Sequence, residues 1–190
     1  MRGRGLRRAL LLGAVAAGLA ASLVACGGDS DSAIDQEGDV RVLNEILARQ
    51  LAAVEAHGEV LPALRGAELA IAREFLSQEQ EHVDATMKTL RGLEGEADPP
   101  EETIEADGVE TRRDALGFLY EMESATIDAE LSAVGKLTIS WPRPLVASMA
   151  ANQAQRLVLI RRALGAAPLE TVPEAFETGE TPGPQAMMEK

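Results

Sequence analysis

Four stretches of this chain repeat their apolar residues at close to the 3.6-residue period of an α-helix, and proline and glycine lie between them. In the first, Val40, Leu43, Leu47, Gln50, Val54 and His57 fall at steps of three and four, on one helix face. Pro62 and Gly66 interrupt it. A second runs from about Ala67 to Leu93, with Ala72, Phe75, Glu79, His82, Thr86 and Leu93 near one face, and Gly92, Gly95 and Pro99-Pro100 stop it. An acidic stretch to about Gly108 carries no helical stripe. The third, Thr111 to Lys136, aligns Leu116, Leu119, Glu123, Ile127, Glu130 and Val134. After the turn Trp141-Pro142-Arg143-Pro144, the fourth runs from Leu145 to Leu164, aligns Val146, Met149, Gln153, Arg156 and Ile160, and ends at Gly165 as a C-cap glycine would. Short first and third connections with a long second one predict an all-α protein, an antiparallel four-helix bundle with a crossover between helices 2 and 3.

Composition agrees with helices. The chain of 190 residues is 46% hydrophobic but only 3% aromatic, so Ala and Leu must supply most of the core. With 31 acidic residues against 18 basic ones, nucleic acid is excluded as a partner, since phosphates demand clustered Lys and Arg. A single cysteine makes no internal disulfide and no cysteine-rich zinc site. The 2 histidines bound any imidazole site to His57 and His82.

The N-terminus reads as an address. MRGRGLRR carries four arginines and no acid, an apolar run follows from Ala9 to Ala25, and Cys26-Gly27-Gly28 closes it. This is the pattern of a secretory signal over residues 1–25, with a short transmembrane anchor as the competing reading. Leu23-Val24-Ala25-Cys26 resembles a bacterial lipobox, which implies a diacylglycerol thioether on Cys26 and an exported protein held by lipid on the outer face of a bacterial membrane. Arg7-Arg8 is an imperfect twin-arginine signal, which leaves the export route open. Cleavage before Cys26 would leave 14 basic and 31 acidic residues, a net of −17. Residues 26–39, rich in Gly, Ser and Asp, are expected to be a flexible tether to a bundle over 40–165. The Pro/Gly/Glu-rich tail 166–190 offers only Leu169, Val172 and Phe176 for docking.

What interrupts the apolar stripes is polar: Gln50, then Glu79 and His82, then Glu123, then Gln153 and Arg156. A buried carboxylate costs several kcal/mol unless it is paired or binds a metal. Glu79-Gln80-Glu81-His82 is a Glu-x-x-His, which sets a carboxylate and an imidazole one turn apart on one face. Three readings of Glu79 and His82 stand: a hydrogen-bonded structural pair, a single metal held with Glu123, or a working two-metal site. Arg156 has two: pairing inward with Glu79 and Glu123, or snorkelling to the surface. His57 is expected to be a partly exposed residue at a helix end, outside any Glu-x-x-His. Trp141 is expected to cap the loop end of the bundle, with ligand stacking the competing role. With Cys26 committed to lipid and His82 to the bundle, ordinary hydrolase chemistry has no triad to draw on.

The chain resembles the ferritin-like superfamily, in particular exported bacterial ferritin-like proteins. The resemblance spans about 40–179 and rests on Val42-Leu43-Asn44, Phe75 through His82, Tyr120 through Ile127, Arg161-Arg162-Ala163-Leu164-Gly165, and Val172-Pro173-Glu174-Ala175-Phe176. It implies a di-iron or di-manganese centre built from a Glu on each of two helices and a Glu-x-x-His on each of the other two. Glu79, His82 and Glu123 match that pattern. The first-helix Glu falls on Gln50, and the fourth-helix Glu-x-x-His on Gln153-Ala154-Gln155-Arg156. The expectation is a degenerate site without a bound cofactor, in a lipid-anchored scaffold or binding module of the cell envelope. The alternative is an iron- or manganese-binding protein with oxidoreductase or metal-handling activity through Glu79, His82 and Glu123.

Overall fold

A computed structural model describes residues 34–168 and residue 171. The expected signal segment, Cys26, the expected tether up to residue 33, and residues 169, 170 and 172–190 lie outside the described residues. Helix α1 spans Gln36–Val60, α2 Gly66–Gly92, α3 Arg112–Lys136 and α4 Arg143–Ala163, and a 3-10 turn, Leu61–Ala63, links the first two. The described residues contain no strand, and none of their helices is long and apolar enough to cross a membrane.

Three of the four starts fall within two residues of the periodicity reading; α1 starts earlier than expected. Its cap is Asp35, whose carboxylate accepts from Gly38 N at 2.8 Å. Asp39, expected in the tether, is fully buried and accepts from the amides of Thr138 and Ile139, each at 2.7 Å. These bonds fasten the start of α1 to the α3–α4 connection, so residues 36–39 belong to the bundle. Helix α3 begins with a capping box between Thr111 and Asp114.

The ends of α2 and α4 close in the same way with different residues. Beyond α4, Gly165 takes φ +94°, and the amides of Gly165 and Ala166 return to the carbonyls of Arg162 and Arg161. Beyond α2 the left-handed position falls on Glu94, at φ +55°, and glycine comes one residue later. A Cβ on Gly95 would lie 2.6 Å from Cγ2 of Val40, so close approach to α1 dictates glycine there. The ring of Trp141 lies over Gly92 at this end of the bundle and is 51% exposed.

Helix α1 packs on α2 and α3, and α3 packs on α4, whereas α2 and α4 touch sparingly. The crossover between α2 and α3 runs extended. Asn44 holds it by accepting from Asp98 N at 2.8 Å and donating to Glu96 O at 3.0 Å, and Arg49 pairs with Glu102 at 2.8 Å. The core is divided. One apolar cluster gathers Val60, Phe75, Leu116, Leu119 and Ile160; the other, toward the opposite end, gathers Leu43, Leu47, Leu90, Leu137 and Val146. Between them lies a belt of buried polar side chains from all four helices.

Candidate functional site: a buried charge network

The helical stripes dictate the belt, because each polar interruption shares its face with core residues. Gln50 and His57 enter from α1, Glu79 and Thr86 from α2, Glu123 and Glu130 from α3, and Gln153 and Arg156 from α4, each at most 2% exposed.

Arg156 is its centre. Nη1 donates to Glu79 Oε2 at 3.0 Å and to Glu123 Oε1 at 3.0 Å. Nε donates to Gln78 Oε1 at 3.2 Å, and Nη2 to Asn152 Oδ1 at 2.9 Å. The guanidinium also lies 5.5 Å from the Phe75 ring centroid. Of the two expectations for this side chain, the geometry is the inward pair. Its long stem does not reach for solvent, because two carboxylates from α2 and α3 meet it inside.

The Glu-x-x-His forms as spaced. His82 Nδ1 is 3.4 Å from Glu79 Oε2, with His82 at 13% side-chain exposure. His57 corrects the reading made from sequence. It was expected to be partly exposed at a helix end, yet it is fully buried, with Nε2 3.4 Å from Glu123 Oε1. Helix α1 continues past it to Val60, and two turns from Gln50 return His57 to the inward face.

The glutamines are bonded within the bundle. Gln50 Oε1 accepts from Thr86 Oγ1 at 2.9 Å, and its amide nitrogen lies 3.4 Å from Met149 Sδ. Gln153 Nε2 is 3.5 Å from Glu130 Oε1. Glu130 belongs to the site, though only its place on the α3 stripe, two turns after Glu123, could have marked it. Gln78 and Asn152 were also missed. The usable signals were sequence adjacency to Glu79 and the i, i+4 spacing to Arg156.

Protonation follows from this arrangement. Burial alone would raise the Glu79 carboxyl, but the adjacent His82 and the Arg156 charge outweigh it and hold the group below the ordinary glutamate range. Burial would lower Arg156, and the charges of Glu123 and Glu79 raise it instead. Glu130 has no cation of its own. Burial and the Glu79 charge push it up to about 8, so it is mostly protonated at neutral pH. Farther along α4, Arg161 Nη2 donates to the Tyr120 hydroxyl at 2.7 Å, with its guanidinium 5.3 Å from that ring.

Comparisons with known proteins identify the fold. The family model described as "Ferritin-like domain" matches residues 38–166. A solved structure of a conserved hypothetical protein, rv2844, from Mycobacterium tuberculosis is similar at 19% identity and TM-score 0.63, covering 75% of this chain and 99% of that one. A structure of ferritin-like, diiron-carboxylate proteins from Bacillus anthracis str. Ames is similar at 18% identity and TM-score 0.59, covering 70% of this chain and 99% of that one. No curated protein matches.

Proposed function

The chain belongs to the ferritin-like domain family, and from that premise we propose that it is a lipid-anchored envelope protein whose bundle serves as a scaffold or binding module, with a buried charge network in place of a two-metal centre. The observation that carries this reading is Arg156 Nη1, at 3.0 Å from both Glu79 and Glu123. A guanidinium at that spot supplies in covalent form the positive charge that a metal would bring.

The remaining residues do not fit a two-metal centre. Of the pattern of two Glu and two Glu-x-x-His, Glu79, His82 and Glu123 remain. Gln50 carries no charge and is engaged with Thr86; Gln153 is likewise neutral; Arg156 takes the place of an imidazole with a permanent cation. Anchoring rests on the lipobox at Leu23-Val24-Ala25-Cys26.

The test is elemental analysis of protein purified without chelator, with aerobic Fe(II) titration alongside. The expected result is no stoichiometric iron or manganese and no saturable ferric absorbance; two metals per chain would sink the reading. Membrane fractionation checks the anchor, since Cys26→Ala should move the protein from the membrane to the soluble fraction.

A second reading, metal handling through Glu79, His82 and Glu123, draws support from the 3.4 Å approach of His82 Nδ1 to Glu79. A ferric signal abolished by His82→Ala would favour it.

A further inference from the structure

Two large apolar side chains stand exposed at one end of the bundle, Ile34 at 74% and Trp141 at 51%. The contacts there bring them together. Asp35 N donates to Thr138 Oγ1 at 2.9 Å, Gln36 Nε2 donates to Leu93 O at 2.7 Å, and the Trp141 ring lies over Gly92. This is also the end that the chain enters from Cys26, which precedes Ile34 by eight residues. We infer that this end docks on the headgroup–acyl boundary of the anchoring membrane through Ile34 and Trp141, so that side chains as well as acyl chains hold the bundle to the lipid.

Reach favours this occupant. Eight residues span at most about 29 Å at full extension, and α1 carries the opposite end of the bundle a further ~38 Å away. Lipid on Cys26 therefore gives this end the highest effective concentration of membrane. Tryptophan prefers the interface, with its ring in the apolar layer and its indole N–H among the headgroups. The backbone beside it suits a medium poor in water. The amides of Thr138 and Ile139 donate to Asp39, and Arg143 donates to the carbonyls of Leu137 and Thr138. Those four groups are satisfied within the protein, so bringing the loop to the boundary strands none of them. Charge contributes less. Exposed Arg91 and Lys136 at this end stand against Glu37 and Glu94, and Arg41 pairs with Asp35 at 3.8 Å. Neither sign dominates, so the apolar pair carries the contact and a zwitterionic surface suffices.

The inference rests on the reading of Cys26 as a lipid anchor, and the experiment separates the two. Trp141 is the sole tryptophan of the chain, so its fluorescence reports this end directly. The full chain produced in bacteria is mixed with phosphatidylcholine vesicles, with and without brominated acyl chains, beside its Cys26→Ala and Ile34→Asp variants. Intact mass reports the lipid, and flotation reports the anchoring. Docking predicts blue-shifted emission, quenched by the brominated lipid, in the anchored protein and neither effect in Cys26→Ala. Ile34→Asp, at a position outside the core, should keep its lipid and its flotation and lose most of the quenching. A protein that carries lipid and floats, yet shows unshifted and unquenched emission, overturns the docking and leaves the anchor standing. Quenching indifferent to Ile34→Asp overturns the assigned pair. A chain without lipid that stays off the vesicles defeats the anchor, and the docking with it.

Discussion

Arg156 and Glu79 form an ion pair at 3.0 Å in which neither side chain is more than 2% exposed, and Glu123 completes it from a third helix. The network therefore fastens α4 to α2 and α3 through one guanidinium. That matters because α2 and α4 otherwise touch little.

Removing the cation alone should be severe. Arg156→Leu leaves two buried carboxylates uncompensated and is expected to cost about 3–5 kcal/mol in urea unfolding. The triple variant Arg156→Leu/Glu79→Gln/Glu123→Gln removes the charges together. It should return to within about 1 kcal/mol of the original stability, or exceed it. A triple variant as unstable as the single one would show that the network is not the origin of the loss.

Glu130 makes stability depend on pH in the direction opposite to most carboxylates. Its folded pKa of about 8 lies above the ordinary glutamate value of 4.5, so between those limits the unfolded chain gives up the proton first. Stability from this group is full below about 4.5 and declines by as much as ~1.4 kcal/mol per pH unit until about 8. Glu130→Gln should flatten that slope. Unfolding midpoints measured between pH 6 and pH 9 check it, and equal slopes in the two proteins would refute the assignment. Glu79 acts on the acid side. Its lowered pKa contributes stability above the ordinary glutamate value, lost as pH falls through the folded pKa.

Asp39 carries the joint between the start of α1 and the α3–α4 connection. Asp39→Ala strips the Thr138 and Ile139 amides of their acceptor and is expected to cost about 2–3 kcal/mol. Asp39→Asn should cost roughly half as much, because one carbonyl acceptor survives. Hydrogen exchange at Thr138 and Ile139 should accelerate in both, which a general loss of packing would not confine to those amides.

Gly95 and Val40 form a testable pair. With a Cβ placed 2.6 Å from Val40 Cγ2, Gly95→Ala should destabilise by about 1–3 kcal/mol through overpacking. Adding Val40→Ala should recover part of that loss, a coupling of about 1 kcal/mol in a double-mutant cycle. Strictly additive losses would place the strain elsewhere.

The pattern of apolar residues determined the four helices, their order, the long crossover and the set of stripes that hold Gln50, Glu79, His82, Glu123, Gln153 and Arg156. It could do so because helical periodicity is a local property: a residue's face follows from its neighbours three and four positions away. The Glu-x-x-His was legible for the same reason. Only the tertiary structure decided what those residues do for one another. Whether Arg156 turns inward depends on carboxylates 77 and 33 residues away. The burial of His57 depends on a helix end packed against α3, and that of Asp39 on a connection about 100 residues downstream. The raised pKa of Glu130 depends on which charges from other helices reach it. A buried group's cost or use is set by partners brought from distant parts of the chain, and only their packing assigns the partner.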